Sequence, residues 1–360
     1  MTNSGYSQSV YIGNETTFGS AATVNQTIGI VQSISPTETN NFIKLRTLGG
    51  TRNYNNIVPG KFEISGSMDL YIQGGAMLRM AMGEDTGSTG GTDSGPKVHS
   101  GASYLHIMGS AASPGADSFP SFTLEFADSE TDTTRNLKRT YTGCRINSLS
   151  LSATVDDPLK STMDWMASNV IATTAAATGG VAADTRDPYV FYQGAVYATS
   201  ANVTRYQVLG TSDKIVEVNG FDFTINNNIE ALWYIGGTTN TYNSKRGPKA
   251  LLVKGRDMDG NLDLHFRNKK MYQRFLGAAG ATGPQNTLNK YNIVLDFVRS
   301  GTLGGVKAAT DDYMRLVLAS CAFNDINITG APEDLVAQKV GVFVKAAKIY
   351  VVDNDSSYKS

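Results

Sequence analysis

The sequence predicts a mainly β protein built as two copies of one unit, each a set of strands around one short helix. Three observations carry this. Apolar residues alternate at period two in several blocks, which marks strands with one buried face. Three of those blocks occur twice in the same order. The composition, with 37 Gly, 17 Tyr and many Thr, Ser and Asn, favours strands and turns over helix.

The first repeated block pairs "GSMDLYI" (66–72) with "GNLDLHF" (260–266). Met68, Leu70 and Ile72 alternate as Leu262, Leu264 and Phe266 do, and Asp69 and Asp263 hold the opposite face. A short helix is expected next in each copy. "QGGAMLRMAMG" (73–83) offers Met77, Leu78, Met80 and Ala81 for packing, and "RNKKMYQRFLG" (267–277) offers Met271, Phe275 and Leu276, with Gly277 as the stop. The first copy then carries the Gly, Ser and Asp loop "GEDTGSTGGTDSGP" (83–96), which lengthens its path to the next strand.

The second block pairs "FTLEF" (122–126) with "IVLDF" (293–297), and Glu125 and Asp296 stand between the last two apolar residues. The third pairs "GCRINSLSLS" (143–152) with "SCAFNDINIT" (320–329). In both, the apolar phase slips by one residue, after Ile146 in one and after Phe323 in the other. A slip that keeps the buried face buried needs an extra unpaired residue, a β-bulge, placed at Asn147 and Asn324. A second helix is expected at "DDPLKSTMDWMASN" (156–169), opened by Asp157 and Pro158, with a shorter counterpart at "APEDLVAQ" (331–338) opened by Pro332. The chain closes with a strand at "VGVFVKAAKIYVV" (340–352).

The small-residue stretch "IATTAAATGGVAADTRDP" (171–188) is expected to link the two units, the first running to about residue 186 and including the 83–120 loop, the second covering 187–360. A chain of 360 residues is long enough for two cores. Both units carry a long basic segment free of acids before the first repeated strand, "FIKLRTLGGTRNYNNIVPGK" (42–61) and "YIGGTTNTYNSKRGPKALLVKGR" (234–256). Such long segments in compact domains carry function, so contact arms are expected here, with Lys44, Arg46, Arg52 and Tyr54 in one and Tyr242, Lys245, Arg246 and Lys249 in the other.

Lys and Arg number 31 against 32 acids, so no global charge argues for nucleic-acid or membrane binding. No apolar run approaches the roughly 20 residues that span a bilayer, and the N-terminal residues lack the basic and apolar regions of a secretory signal. A soluble protein retained where it is made is the expectation. Cys144 and Cys321 occupy the equivalent strand position in the two copies, which predicts buried free thiols rather than a disulfide. His99, His106 and His265 show no metal spacing, and no phosphate loop or nucleophile elbow is present. "GRDMDGNLD" (255–263) lacks the first and last acids of a calcium loop and is expected to be a turn. No catalytic constellation emerges, so neither an enzyme nor a cofactor is expected.

The segments "YIGNETTFGSAATV" (11–24), "PGKFEISGSMDLYI" (59–72), "FPSFTLEF" (119–126) and "YTGCRINSLSLSA" (141–153), in this order, resemble the tail tube proteins of tailed phages and related viruses. The resemblance covers most of the first unit and, through the repeat, the framework of the second. It implies a β-sandwich or β-barrel tube module with a flanking helix, a structural protein of the virion tail assembled in the host cytoplasm. It also implies stacked rings around a lumen through which the genome and internal tail proteins, the tape measure among them, pass. Six modules per ring make a two-module chain close as a trimer with pseudo-sixfold symmetry, the other arrangement being a hexamer in which the second module is a decoration. A barrel of about 24 strands, about 4.8 Å apart and tilted about 40°, has a backbone diameter near 48 Å, wide enough for duplex DNA.

Cations on such a wall would bind the phosphates and impede sliding, so an acidic or neutral lumen is expected, with Asp69, Glu125, Asp263 and Asp296 as candidates. The basic arms then reach the neighbouring ring or subunit, where acids around Glu84, Asp85 and Asp93, and around Asp128, Glu130 and Asp132, would receive them. The competing class is a carbohydrate-binding or adhesive β-sandwich surface protein, for which Tyr and Asn would supply contacts.

Overall fold

The structure is a computed structural model, and it describes residues 7–48, 50, 52–83, 97–100, 103–109, 119–129, 133–201, 203, 207–215, 218–234, 246–305, 307–308, 310–330 and 335–353. The first half contains β1 (Gln8–Asn14), β2 (Ile30–Leu45), β3 (Asn56–Tyr71), α1 (Ala76–Met82), β4 (Lys97–Ser100), β5 (Ser103–Gly109), β6 (Phe122–Asp128), β7 (Leu137–Thr154), β8 (Lys160–Ala167) and β9 (Asn169–Thr173). The second contains β10 (Gly194–Thr199), β11 (Lys214–Ile215), β12 (Val218–Asn226), β13 (Glu230–Leu232), β14 (Ala250–Leu252), β15 (Asp257–His265), α2 (Lys270–Phe275), β16 (Tyr291–Ser300), β17 (Asp312–Thr329), β18 (Ala337–Phe343) and β19 (Ala346–Asp353). The protein is mainly β, as its alternating sequence requires.

The two halves share one pairing scheme, antiparallel throughout. In the first, β1 pairs with β6, β6 with β7, β7 with β9 and β8, β8 with β3, and β3 with β2. In the second, β10 pairs with β16, β16 with β17, β17 with β19 and β18, β18 with β15, and β15 with β12. The long strands β7 and β17 run through both layers of their half, turning at Gly143 (φ 64) and Ser320 (φ 55). These are equivalent positions immediately before the two cysteines, where a left-handed residue redirects the chain. The register slips between Ile146 and Ser148 opposite β8, and between Phe323 and Asp325 opposite β18, so Asn147 and Asn324 are the extra residues.

The first repeated block keeps its alignment in three dimensions. Met68 faces Met163 and Leu262 faces Val340, at corresponding points of β8 and β18. The second block does not. Phe122 faces Cys144 whereas Tyr291 faces Cys321, so β6 and β16 correspond two residues away from the match of "FTLEF" to "IVLDF". A shift of two leaves every side chain on the same face, so alternation alone cannot detect it.

Three local expectations are corrected. Residues 156–169 form a turn and then β8 rather than a helix, because Leu159, Ser161, Met163, Trp165 and Ala167 alternate into the core at period two. The final strand divides into β18 and β19, which enter different layers. The first basic segment is not a loop but the end of a hairpin, since β2 and β3 stay paired as far as Leu45 opposite Asn56. Segment 83–120 also contributes across the halves: its β4–β5 hairpin joins the second half's outer layer through β5 and β19.

One apolar core runs through both halves, from Ile12, Met68 and Trp165 to Phe223, Leu264 and Cys321. Helix α1 is entirely buried against it, and Arg79 within it donates to Asn14 Oδ1 at 2.9 Å. The inner layers are fused by β7 and β12, paired from Thr154 opposite Gly220 to Ser148 opposite Asn226. The result is an eight-stranded antiparallel sheet in the order β2, β3, β8, β7, β12, β15, β18, β17.

Candidate functional site

The eight-stranded sheet packs one face on the core and leaves the other to solvent. That solvent face is built from small hydroxyl residues, Ser65, Ser67, Ser148, Ser150, Ser152, Thr162 and Thr224 among them. Its charges are mostly carboxylates: Glu63, Asp69, Asp164, Asp222, Asp257, Asp259, Asp263 and Asp325, against Lys160 and Lys339. Asp69 accepts from Thr162 Oγ1 at 2.6 Å and from Ser33 Oγ at 3.2 Å, with Lys160 Nζ at 3.6 Å. The Thr162 hydroxyl chiefly, helped by Lys160, holds its carboxyl below the usual carboxylate range, so this charge persists into mild acid. Asp263 stands half exposed with Lys339 at 3.9 Å. Of the four candidate wall acids, these two lie on the exposed face.

Glu125 and Asp296 do not, which corrects the expectation of exposure. Glu125 is 2% exposed and accepts from Thr178 N and Thr178 Oγ1, each at 2.6 Å, with Lys138 Nζ at 3.2 Å. It pins the segment between β9 and β10 to the first half. Glu125→Ala is therefore expected to cost about 1–3 kcal/mol, as a partly buried amide loses its acceptor, and to speed proteolysis within residues 174–188. An unchanged cleavage rate would refute the tether. Asp296 is fully buried between Lys307 Nζ at 2.8 Å and Arg315 Nε at 3.1 Å. Period two placed both acids on the strand face opposite their apolar neighbours, but that face is covered in these outer layers by other chain segments.

The junction of the two halves rests on asparagines. The Asn147 carbonyl accepts from Asn227 N at 2.8 Å, and Asn147 Oδ1 accepts from Ile229 N at 2.9 Å. Asn227, fully buried, donates from Nδ2 to Ile146 O at 2.9 Å and to Ala81 O at 3.1 Å. The bulge thus turns both acceptors of Asn147 toward the incoming strand. Among the described residues, β2 pairs only with β3, and residues 325–329 of β17 pair only with β18. These edges are the counterparts of the two strands that meet at the junction. Ile328 is 42% exposed where its counterpart Leu151 is 0%.

The basic arms differ. On the β2–β3 hairpin, Lys44 and Arg46 lie over the Tyr54 ring at 5.2 and 4.7 Å, and Arg52 is exposed, as are the apolar Phe42, Ile43, Leu48 and Ile57. The second arm folds back on the first half of its own chain. Arg246 donates to Gly60 O at 2.7 Å and Asn40 Oδ1 at 2.8 Å, Ser168 Oγ donates to Pro248 O at 2.8 Å, and Lys249 N donates to Leu232 O. Arg246 is therefore engaged within the chain. Tyr242 and Lys245 lie outside the described residues, as do Glu84, Asp85, Asp93, Glu130 and Asp132. Asp128 is described and accepts from Ser7 Oγ at 2.6 Å.

Cys144 and Cys321 are free and fully buried, and burial raises both thiols, Cys321 to about 12. His265 Nε2 sits 2.8 Å from Asn219 Nδ2 on a strand end. Sequence reasoning placed Asn147 at the bulge but missed its junction role, and it missed Asp222, Asp259 and Asn227 altogether. A signal existed in the match of "TNNF" (39–42) to "NNNI" (226–229), which sit at corresponding points of β2 and β12.

A two-layered β protein whose widest sheet ends in two unpaired strands is made to be continued by other molecules. No curated protein matches the chain. The family model described as phage tail tube protein matches residues 5–337, nearly the whole length. The chain belongs to the phage tail tube protein family, and its place is the virion tail.

Proposed function

We propose that three copies close into a ring with pseudo-sixfold symmetry and that rings stack into the hollow conduit for genome delivery. The units meant are residues 1–186 and 187–360, two copies of one ring-building module. The single observation that carries this is the β7–β12 junction, because it is a finished module contact inside one chain and the two edges required to repeat it stand open.

The same geometry between chains sets Thr39 opposite Asp325, Glu38 opposite Ile326, Thr37 opposite Asn327 and Pro36 opposite Ile328. Asn324 then receives Asn40 and Phe42 of the next copy, as Asn147 receives Asn227 and Ile229. Pro36 is compatible with an edge strand, where a missing N–H is tolerated. Three copies of an eight-stranded sheet supply about 24 strands, which fits a barrel wide enough for a duplex. In that barrel the carboxylate face lines the lumen. The excess of acids over Lys160 and Lys339 repels the phosphates of the passing genome and leaves it free to slide.

The hairpin tip bearing Lys44, Arg46, Arg52 and Tyr54 reaches a neighbouring copy, as the second arm already clasps its neighbouring half. Its exposed Phe42, Ile43 and Leu48 supply apolar area for that contact. The tape-measure protein is the partner of the lumen face during assembly. Negative-stain imaging of concentrated protein tests the reading. Rings or tubes with three-fold averages are expected, and a discrete monomer at every concentration would overturn it.

A further inference from the structure

The two rims that correspond in the halves are built alike but covered differently. In the first half, Ile72 N donates to Leu159 O at 3.1 Å, and the segment leading into β10 completes the site: Tyr189 N donates to Ile72 O at 3.2 Å and Leu159 N donates to Tyr189 O at 2.7 Å. Ile72 and Leu159 are consequently 1% and 0% exposed. In the second half, Phe266 N donates to Val336 O at 2.8 Å, which is the same bridge at the corresponding positions. Phe266 and Val336 are each 39% exposed there, and Leu335 beside them is 74% exposed.

A backbone bridge that takes an extra strand in one half and presents apolar side chains to water in the other is a slot lacking its occupant. The repeat identifies the occupant. Tyr189 precedes β10, and β10 corresponds to β1, since Ile12 opposite Leu124 matches Ala198 opposite Ile293 once β6 is set on β16. The counterpart of the Tyr189 segment is therefore the stretch leading into β1. Ser7, like Gln193, ends a 3-10 turn just before its strand. It is fixed to the outer layer by Ser7 Oγ to Asp128 Oδ1 and by Ser129 N to Ser7 O at 3.0 Å. The Tyr189 segment docks on the module that precedes its own strand, and the module preceding β1 belongs to another chain.

We infer that the Phe266–Val336 slot receives the N-terminal residues of a second copy, a strap that links successive chains around the ring; this rests on the ring reading. The occupant binds through its backbone, as Tyr189 does, so residue 3 takes the Tyr189 position and Ser4 stands opposite Leu335, as Val190 stands opposite Pro158. Directly opposed strand residues have Cα atoms about 4.5–5.5 Å apart, within disulfide range.

The test is oxidation of an equimolar mixture of Ser4→Cys and Leu335→Cys chains under assembly conditions. The native cysteines, both fully buried, do not compete. A reducible band at twice the chain's 38.5 kDa, absent from either variant alone, is the expected result. Rings without that band would overturn the strap and leave the ring standing. A double variant that cross-links only within itself, with no band in the mixture, would assign the slot to the chain's own leading segment and also overturn it. Protein that stays at 38.5 kDa and shows no cross-link would sink strap and ring together.

Discussion

Asn324→Leu is expected to leave the chain's own stability unchanged while raising the concentration needed for rings, whereas Asn147→Leu lowers the stability of the chain itself. The two residues occupy the same bulge in the two halves. At Asn147 the side chain accepts the Ile229 amide at 2.9 Å, and leucine leaves that partly buried donor unpaired, at about 1–3 kcal/mol. Asn324 is exposed, so the same change costs the isolated chain little. In the ring it meets the Phe42 amide of the next copy. The same loss then recurs at each contact, roughly 5- to 150-fold in affinity per junction, with every junction of the ring affected. Chemical denaturation reads the first effect and sedimentation velocity the second. If Asn324→Leu shifted the unfolding midpoint and spared assembly, the β17 edge would not be the closing edge.

Asp296→Asn is expected to destabilise the second half by about 3–5 kcal/mol, the largest effect of any single change argued above. Asp296 Oδ2 accepts from Gly304 N at 2.7 Å, Lys307 Nζ at 2.8 Å and an Arg315 guanidinium nitrogen at 3.2 Å, and Oδ1 accepts from Arg315 Nε at 3.1 Å. The side chains of all three residues are 0% exposed. Burial already pushes Lys307 below its usual range and Asp296 opposes that shift. Without the carboxylate, two cations share a site closed to water, and the cost is that of uncompensated buried charge rather than one lost bond. Asp296→Leu combined with Lys307→Met and Arg315→Met removes all three charges and is expected to recover part of the loss. Urea unfolding checks both variants, and a loss under 1 kcal/mol in Asp296→Asn would mean that the cluster opens to solvent.

The strands were legible where burial is one-sided. Met68, Leu70 and Ile72 against Asp69 declare their faces in the sequence alone, and both helices follow from clustered apolar residues next to these strands. The slip at Asn147 and Asn324 was legible for the same reason, since a bulge is the only way to keep both flanks buried. Residues 156–169 misled because Asp157 and Pro158 make a good helix start, and the capping pattern outweighed the alternation of Met163, Trp165 and Ala167. The wall was legible only in part. Asp69 and Glu125 carry the same local pattern, an acid between apolar neighbours on a strand, and one faces solvent while the other is covered.

By itself the sequence determined the class, the repeat, the order of its blocks and the face each strand buries, because these depend on side chains two to four residues apart. Tertiary structure alone decided which layer each strand joins, the two-residue offset between β6 and β16, the return of the second arm onto its own chain, and the pairing of β7 with β12. Such features depend on contacts between residues far apart in the chain, often through backbone groups that every residue carries, and local pattern holds no record of them.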